Sequence, residues 1–314
     1  MSGQLVTPAL RRPPWMKVRL SIGENYRQLK NLVHGENLHT VCEEARCPNI
    51  YECWERRSAT LMILGDTCTR SCGFCAVKTG RPPTLDLAEP LRVGAAVKSM
   101  GLRHCVITSV NRDELDDGGA SVWAATIREI RRQAPDCTVE VLIPDFKGDA
   151  EALATVMEAR PDVLAHNLET VPDLYGTVRP QADYSQSLQL LRRASEGHMV
   201  VKSGIMVGIG EKPEEVLALM RDAFHHGCRL FTIGQYLQPT PLHLPVVRYV
   251  TPEEFASYEA AGLEMGFGGV VSGPLVRSSY RADEQLLRLS DQGGSFPAAN
   301  RGDITTATQP AGEN

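Results

Sequence analysis

No stretch of the 314-residue sequence reaches the ~18 consecutive apolar residues of a membrane-spanning helix. The opening Met1–Pro14 has no apolar h-region, so a secretory leader is not expected there. Positive charge is not in surplus. The 33 Lys and Arg face 38 Asp and Glu, a net charge of −5, which argues against bulk nucleic-acid binding. The eight histidines form no H-x3-H pair, and none lies between Arg57 and Lys78. Cysteines number nine, an odd count that a secreted disulfide framework would not show. Together these absences predict a reducing, cytoplasmic setting, with neither nucleic acid nor membrane among the partners.

What is present is ordinary in bulk and specific in detail. Apolar content of 42% and charged content of 23% suit a globular chain that can bury a barrel-sized core. From Arg57 onward, apolar runs alternate with helical patterns. Strands are predicted at Thr60–Leu64, Cys105–Ser109, Val139–Ile143, Val163–Asn167, Val200–Val207 and Leu230–Ile233. Helices are predicted near Leu87–Met100, Val122–Gln133, Ala150–Met157, Tyr184–Ala194, Pro213–His226 and Pro252–Met265, with a short one over Glu24–Val33. Strand–helix alternation implies a parallel sheet. Six units are too few for an eight-unit barrel.

Three cysteines sit within eight residues in Cys68-Thr-Arg-Ser-Cys72-Gly-Phe74-Cys75. Three thiolates can hold three irons of a [4Fe–4S] cube and leave the fourth open for chemistry. A zinc site lacking one ligand is the alternative, although zinc sites usually pair cysteines as C-x2-C twice or combine them with histidines. A second group, Cys42-x4-Cys47-x5-Cys53, again supplies three thiolates. Spacing leaves this group open between an iron–sulfur cluster and a zinc knot with His39 as fourth ligand. The remaining Cys105, Cys137 and Cys228 have no spaced partners and read as core residues.

The spacing C-x3-C-x2-C, with an aromatic before the last cysteine, resembles the radical S-adenosylmethionine (radical SAM) enzymes. The upstream C-x4-C-x5-C within Asn37–Trp54 narrows the resemblance to the lipoyl synthase family. The likeness runs on through Ala59–Pro82, Thr108–Gly119, Asn167–Val171, Lys202–Glu211, Gln235–Thr240 and Ser272–Tyr280, with its terminal Arg-Ser-Ser-Tyr. It covers roughly Pro13 to Ala282. Another radical SAM sulfur inserter, biotin-synthase-like or a methylthiotransferase, is the alternative. The upstream place of the second cysteine group and the Arg-Ser-Ser-Tyr segment favour lipoyl synthase. An iron–sulfur or zinc-binding scaffold without radical chemistry is the alternative from outside that class.

The resemblance implies an α/β fold: a partial (β/α)6 TIM-like barrel over 58–272. An N-terminal cysteine-bearing extension over 1–57 and a short C-terminal ligand segment over 273–290 flank it, and a disordered tail is expected over 291–314. It implies two [4Fe–4S] clusters. Cys68, Cys72 and Cys75 would hold the one that binds SAM. Cys42, Cys47, Cys53 and Ser278 would hold an auxiliary one, with Ser279 as the alternative to Ser278. Read without the family, those serines are turn or helix-cap residues. SAM contacts are expected from Phe74, Thr108, Asn111, Asn167, Glu169, Arg179, Met206 and Gly208. The bland reading of Glu169 and Arg179 is a surface ion pair, and that of Asp113–Asp117 is a solvated loop.

The implied activity is a sulfurtransferase reaction that places two sulfur atoms at C6 and C8 of a protein-bound octanoyl-lysine. It consumes two SAM per lipoyl group and takes sulfur from the auxiliary cluster. The implied partners are octanoylated lipoyl carrier domains (2-oxoacid dehydrogenase E2 subunits and the glycine cleavage H protein), an electron donor such as flavodoxin or ferredoxin, and an iron–sulfur carrier protein. The cysteine arm and the Arg-Ser-Ser-Tyr segment are expected to lie across the barrel mouth.

Overall fold

The computed structural model describes residues 11–17, 22–35, 39–44 and 47–291. The disorder expected of the tail falls on residues of which all but Asp291 lie outside this description, as does the side chain of His39, the proposed zinc ligand.

The chain opens with α1 (Glu24–Gly35), β1 (His39–Thr40), α2 (Val41–Glu44) and α3 (Ile50–Glu55). The alternating region follows as β2 (Ser58–Ile63), β3 (Thr67–Cys68), β4 (Lys78–Thr79), α4 (Glu89–Met100), β5 (His104–Ser109), α5 (Ala120–Gln133) and β6 (Thr138–Leu142). It continues with α6 (Ala150–Glu158), β7 (Val163–Ala165), α7 (Tyr175–Val178), α8 (Tyr184–Glu196), β8 (Val201–Val207), α9 (Pro213–His225), β9 (Leu230–Gln235), α10 (Pro252–Met265), β10 (Gly269–Gly273) and α11 (Ala282–Asp291).

Local chemistry sets these boundaries. Asp149, Asp183 and Thr251 accept backbone N–H bonds at the starts of α6, α8 and α10, where the first-turn donors have no helical partner. Gly101 and Gly266 end α4 and α10 in the left-handed conformation that favours glycine.

Among the described residues the main sheet runs β1-β2-β5-β6-β7-β8-β9-β10. All its pairings are parallel except β1 on β2. The open α/β barrel is as expected, but its parallel strands number seven rather than six. The unforeseen seventh, Gly269-Val-Val-Ser-Gly273, is short and glycine-flanked, so it lacks the long apolar run that marks the others. The extension also contributes more than expected. β1 covers the outer edge of β2, pairing His39 with Met62 and Thr40 with Leu61.

The core lies between strands and helices. Val93, Val97, Trp123, Ile127 and Leu153 from the helices join Leu61, Ile63, Cys105, Ile107, Val139 and Val141 from the strands. Cys105, Cys137 and Cys228 are buried there or at its border, as predicted. Strand residues of opposite parity face away from this layer. Two of them, Glu140 on β6 and Lys202 on β8, form a buried ion pair of 2.8 Å across the intervening β7. At the N-terminal end of the barrel, Leu286 of α11 packs with Val163 and Leu230, the first residues of β7 and β9. No helix among the described residues is long and apolar enough to cross a membrane.

Removing one partner of a buried pair leaves the other charge without compensation. Lys202→Met is therefore expected to cost about 3–5 kcal/mol in urea unfolding, and the double variant Lys202→Met with Glu140→Leu to recover most of it. A double variant as unstable as the single one would show that the pair does not account for the loss.

Candidate active site

In a parallel α/β sheet the loops that follow the strands gather at the carboxyl rim. Cys68, Cys72 and Cys75 follow β2 and lie there. Three other rim loops hold their backbone. Asn111, after β5, accepts from Thr69 N at 3.1 Å, and Val178, after β7, accepts from Gly73 N at 3.0 Å. His243, after β9, has Nε2 2.9 Å from the Cys75 carbonyl, and Leu244 N donates to Gly73 O at 3.0 Å. Cys68 Sγ accepts from the backbone N–H groups of Asn111 at 3.3 Å and Arg70 at 3.4 Å.

The three thiols feel one another electrostatically. Burial pushes the Cys75 thiol up to about 12, with Cys72 and Cys68 adding to it. Burial also raises Cys72, while the Arg179 guanidinium pulls the other way. Among the described residues no three cysteine, histidine or carboxylate side chains converge on one ion. A cube gives each thiolate its own iron, and the N–H donors aimed at Cys68 Sγ fit a cluster-bound sulfur.

The expected SAM contacts are distributed around the same rim. Phe74 and Met206 meet in one apolar patch with Val178, Ile209 and Tyr236. Thr108 donates its hydroxyl to Leu142 O at 3.0 Å, so its proton is engaged with β6. Asn111 faces Cys68, with Nδ2 3.8 Å from Sγ. Asn167 Nδ2 donates to Glu169 Oε1 at 3.0 Å, while Asn167 Oδ1 is buried without a partner. Glu169 adopts φ +67°, a left-handed conformation that a non-glycine residue keeps only where its surroundings enforce it. Burial raises its carboxyl above the usual range, with Arg179 and Asn167 opposing.

Glu169 and Arg179 are not the surface ion pair of the bland reading. Arg179 is buried and donates to the carbonyl of Asn167 at 2.9 Å and to Tyr175 Oη at 3.1 Å. Gly208, at φ +96°, has no room for a Cβ, which would strike the Gln235 side chain and the Arg248 carbonyl. The orphaned Asn167 acceptor and this glycine-lined rim fit a polar ligand with hydrogens to donate.

The second group forms a separate cleft lined by Cys42, Cys47, Cys53, Arg277, Ser279 and Tyr280. Ser278 is not among its lining residues. Burial pushes Cys42 up to about 11, with Cys47 adding to it, and also raises Cys53 and Cys47. Arg277 is a half-buried cation whose Nη1 donates to the carbonyls of Val276 at 2.7 Å and Gln235 at 3.3 Å. Burial lowers its pKa, with Cys47 pulling the other way. A half-buried cation facing thiols suits an anionic cluster.

The cleft is lined by Ser58 and Thr60 of β2 together with residues that follow β10. The two extensions meet at the lateral seam between β2 and β10, where Arg277 also reaches Gln235, the last residue of β9. Asn49 Nδ2 donates to Leu275 O at 2.6 Å, Tyr280 Oη donates to Glu52 at 3.2 Å, and Arg56 pairs with Glu284 at 2.6 Å. The physical reason is that both edges of an open sheet need cover.

Sequence reasoning missed Arg70, Asp145, His243, Arg277 and Glu52 as contributors. Only Arg70 and Arg277 carried a signal, a charge placed inside a ligand motif. Asp113, assigned to a solvated loop, instead forms an ion pair with Arg70 at 2.7 Å.

Comparison with known proteins agrees with this geometry. Residues 62–223 match the Radical SAM superfamily, and residues 4–47 match the N-terminal domain of lipoyl synthase of the radical SAM family. The lipoyl synthase of Rubrobacter xylanophilus is 64% identical over 276 residues, covering 87% of this chain and 86% of that protein. The lipoyl synthase of Chlorobaculum parvum is 54% identical over 275 residues, covering 87% and 94%. A crystal structure of methylornithine synthase shares the fold with a TM-score of 0.51 at 14% identity, covering 76% of this chain and 83% of that one. With Cys68, Cys72 and Cys75 inside the first match and Cys42 and Cys47 inside the second, and with relatives this similar over most of their length, the chain belongs to the lipoyl synthase family of radical SAM enzymes.

Proposed function

We propose that this chain completes lipoyl groups in place, inserting two sulfur atoms at C6 and C8 of an octanoyl chain carried on a lysine of a lipoyl carrier domain. The observation that carries this reading is the pairing of two separate cysteine triads, one at the carboxyl rim and one in the seam. Its membership of the lipoyl synthase family supports the same reaction.

When bound, a [4Fe–4S] cluster at the rim with SAM supplies the hydrogen-abstracting radical, and an auxiliary cluster supplies the sulfur. In this proposal Cys68, Cys72 and Cys75 hold the first, and Asn167, Glu169, Arg179, Phe74, Met206, Thr108 and Gly208 shape the SAM pocket. Asn111 orients Cys68 through its two N–H donors. Cys42, Cys47 and Cys53 hold the second cluster, and the cleft lining favours Ser279 over Ser278 as the oxygen ligand. Thiols that burial holds protonated release their protons on metal loading. Residues 1–57 thus deliver auxiliary thiols, 58–272 form the SAM-cleaving core and 273–290 return the serine. Two SAM are used per lipoyl group, and sulfur loss obliges the auxiliary cluster to be rebuilt.

The carriers we infer are E2 subunits of 2-oxoacid dehydrogenases and the glycine cleavage H protein. Flavodoxin or ferredoxin serves as electron donor and an iron–sulfur carrier protein as the source of new cluster. The central test is anaerobic mass spectrometry of an octanoyl-lysine peptide incubated with reconstituted protein, SAM and a reductant. A product gaining two sulfurs is expected, as the dithiol under the reductant and two hydrogens lighter, as the disulfide, after air oxidation. Deoxyadenosine without any thiolated peptide would sink the lipoyl assignment for that substrate.

Cys68→Ala is expected to reduce deoxyadenosine release to background. Cys47→Ala keeps that release and loses sulfur insertion. Lipoyl product from the second variant would break the division of roles. Ser279→Ala is expected to lose auxiliary iron faster than Ser278→Ala under a chelator, and the reverse order would move the ligand to Ser278.

A further inference from the structure

Arg70 lies between two of the proposed ligands, Cys68 and Cys72, and is 5% exposed. It meets two carboxylates at once, each by a two-bond fork. Nε and Nη2 donate to Asp113 at 2.7 and 2.9 Å, while Nη1 and Nη2 donate to Asp145 at 2.7 Å each. Charge-assisted forks of this kind fix a guanidinium in direction as well as in place. Burial works against the Arg70 charge, and its hydrogen bonds to Asp113 and Asp145 outweigh it, so the side chain stays cationic.

The clamp is tied to the cysteine loop at both ends. The Arg70 N–H reaches Cys68 Sγ, and its carbonyl accepts from Thr79 Oγ1 at 3.2 Å. Asp113 N donates to Thr69 Oγ1 at 3.2 Å, and Lys147 Nζ donates to Asp113 O at 2.6 Å. Asp145 has no exposed side-chain surface. It is followed by three residues at positive φ: Phe146 at +46°, Lys147 at +52° and Gly148 at +82°. Non-glycine residues in that region persist only where surroundings over-determine them. Here the turn aims Asp145 inward at Arg70, with Lys147 N returning to Asp145 Oδ1 at 3.0 Å.

A buried ion pair is weak support for stability, because well-packed apolar groups of the same shape often serve as well. Four directed bonds on one residue of an eight-residue ligand motif do something apolar packing cannot, which is to fix the orientation of the backbone between two thiols. We propose that Arg70, clamped by Asp113 and Asp145, is a positioning residue that sets the spacing of Cys68 and Cys72 before the cluster arrives. The proposal rests on the reading of Cys68, Cys72 and Cys75 as ligands of the rim cluster.

The test uses the full chain with Cys42, Cys47 and Cys53 replaced by alanine, loaded anaerobically with ferrous iron and sulfide. The readout is the rate at which an iron chelator bleaches it. Arg70→Lys keeps the charge and loses both forks. Losing a supporting partner of a metal ligand typically costs at least about tenfold in metal affinity, so bleaching is expected to speed up by about tenfold. Asp113→Asn removes one fork, leaves the buried Asp145 pair intact and is expected to accelerate bleaching less. It decides the matter alone if Arg70→Lys fails to fold by circular dichroism. Arg131→Lys on α5, which cuts an ion pair to Asp162 just before β7, is expected to bleach at the parent rate.

Bleaching at the parent rate in folded Asp113→Asn and Arg70→Lys would overturn the proposal, as would equal acceleration in Arg131→Lys. Iron retained by a chain that also lacks Cys68, Cys72 and Cys75 would instead overturn the ligand reading beneath it.

Discussion

A curved parallel sheet that stops short of closure has two edges, each with unpaired backbone groups, and most of what lies outside the barrel here answers to them. β1 covers the edge at β2, and the residues after β10 turn back toward α3. The bonds that join the two sides are polar and come from residues more than two hundred positions apart: Asn49 to Leu275, Glu52 to Tyr280, Arg56 to Glu284. The auxiliary cleft sits within this seam, so closing the sheet and assembling the second thiol group are the same structural event.

The rim obeys the other constraint of a parallel sheet. Every parallel strand ends on the same side, so the loops that follow β2, β5, β7 and β9 meet there. The cysteine loop is held by backbone bonds to Thr69 and Gly73 and by the side chains of His243 and Gln181. Its one deeply anchored side chain, Arg70, takes partners from loops after β5 and β6. The inward-facing charges thus divide into two kinds. Arg70 and Lys202 have carboxylate partners at ion-pair distance, whereas Arg277 meets backbone carbonyls and the Cys47 thiol. The first kind orders the scaffold, and the second is left facing a site that an anionic group would complete.

The other six parallel strands, their helices and both cysteine groups were legible in the sequence because each is local. Apolar runs, helical periodicity and fixed cysteine spacing need no knowledge of what lies across the sheet. The seventh strand was not legible, because Gly269-Val-Val-Ser-Gly273 is defined by its neighbour β9 rather than by its own composition. The burial of Arg179 and the pairing of Asp113 with Arg70 were hidden for the same reason: a charged side chain reads as solvated until its partners arrive from elsewhere.

By itself the sequence determined the fold class, the two thiol triads and the family, since these depend on periodicity and spacing along the chain. Only the tertiary structure decided where the extensions lie, which serine lines the auxiliary cleft and what holds the rim loop. Those depend on contacts between Asn49 and Leu275, or between Arg70 and Asp145, whose separation in sequence bears no relation to their separation in space.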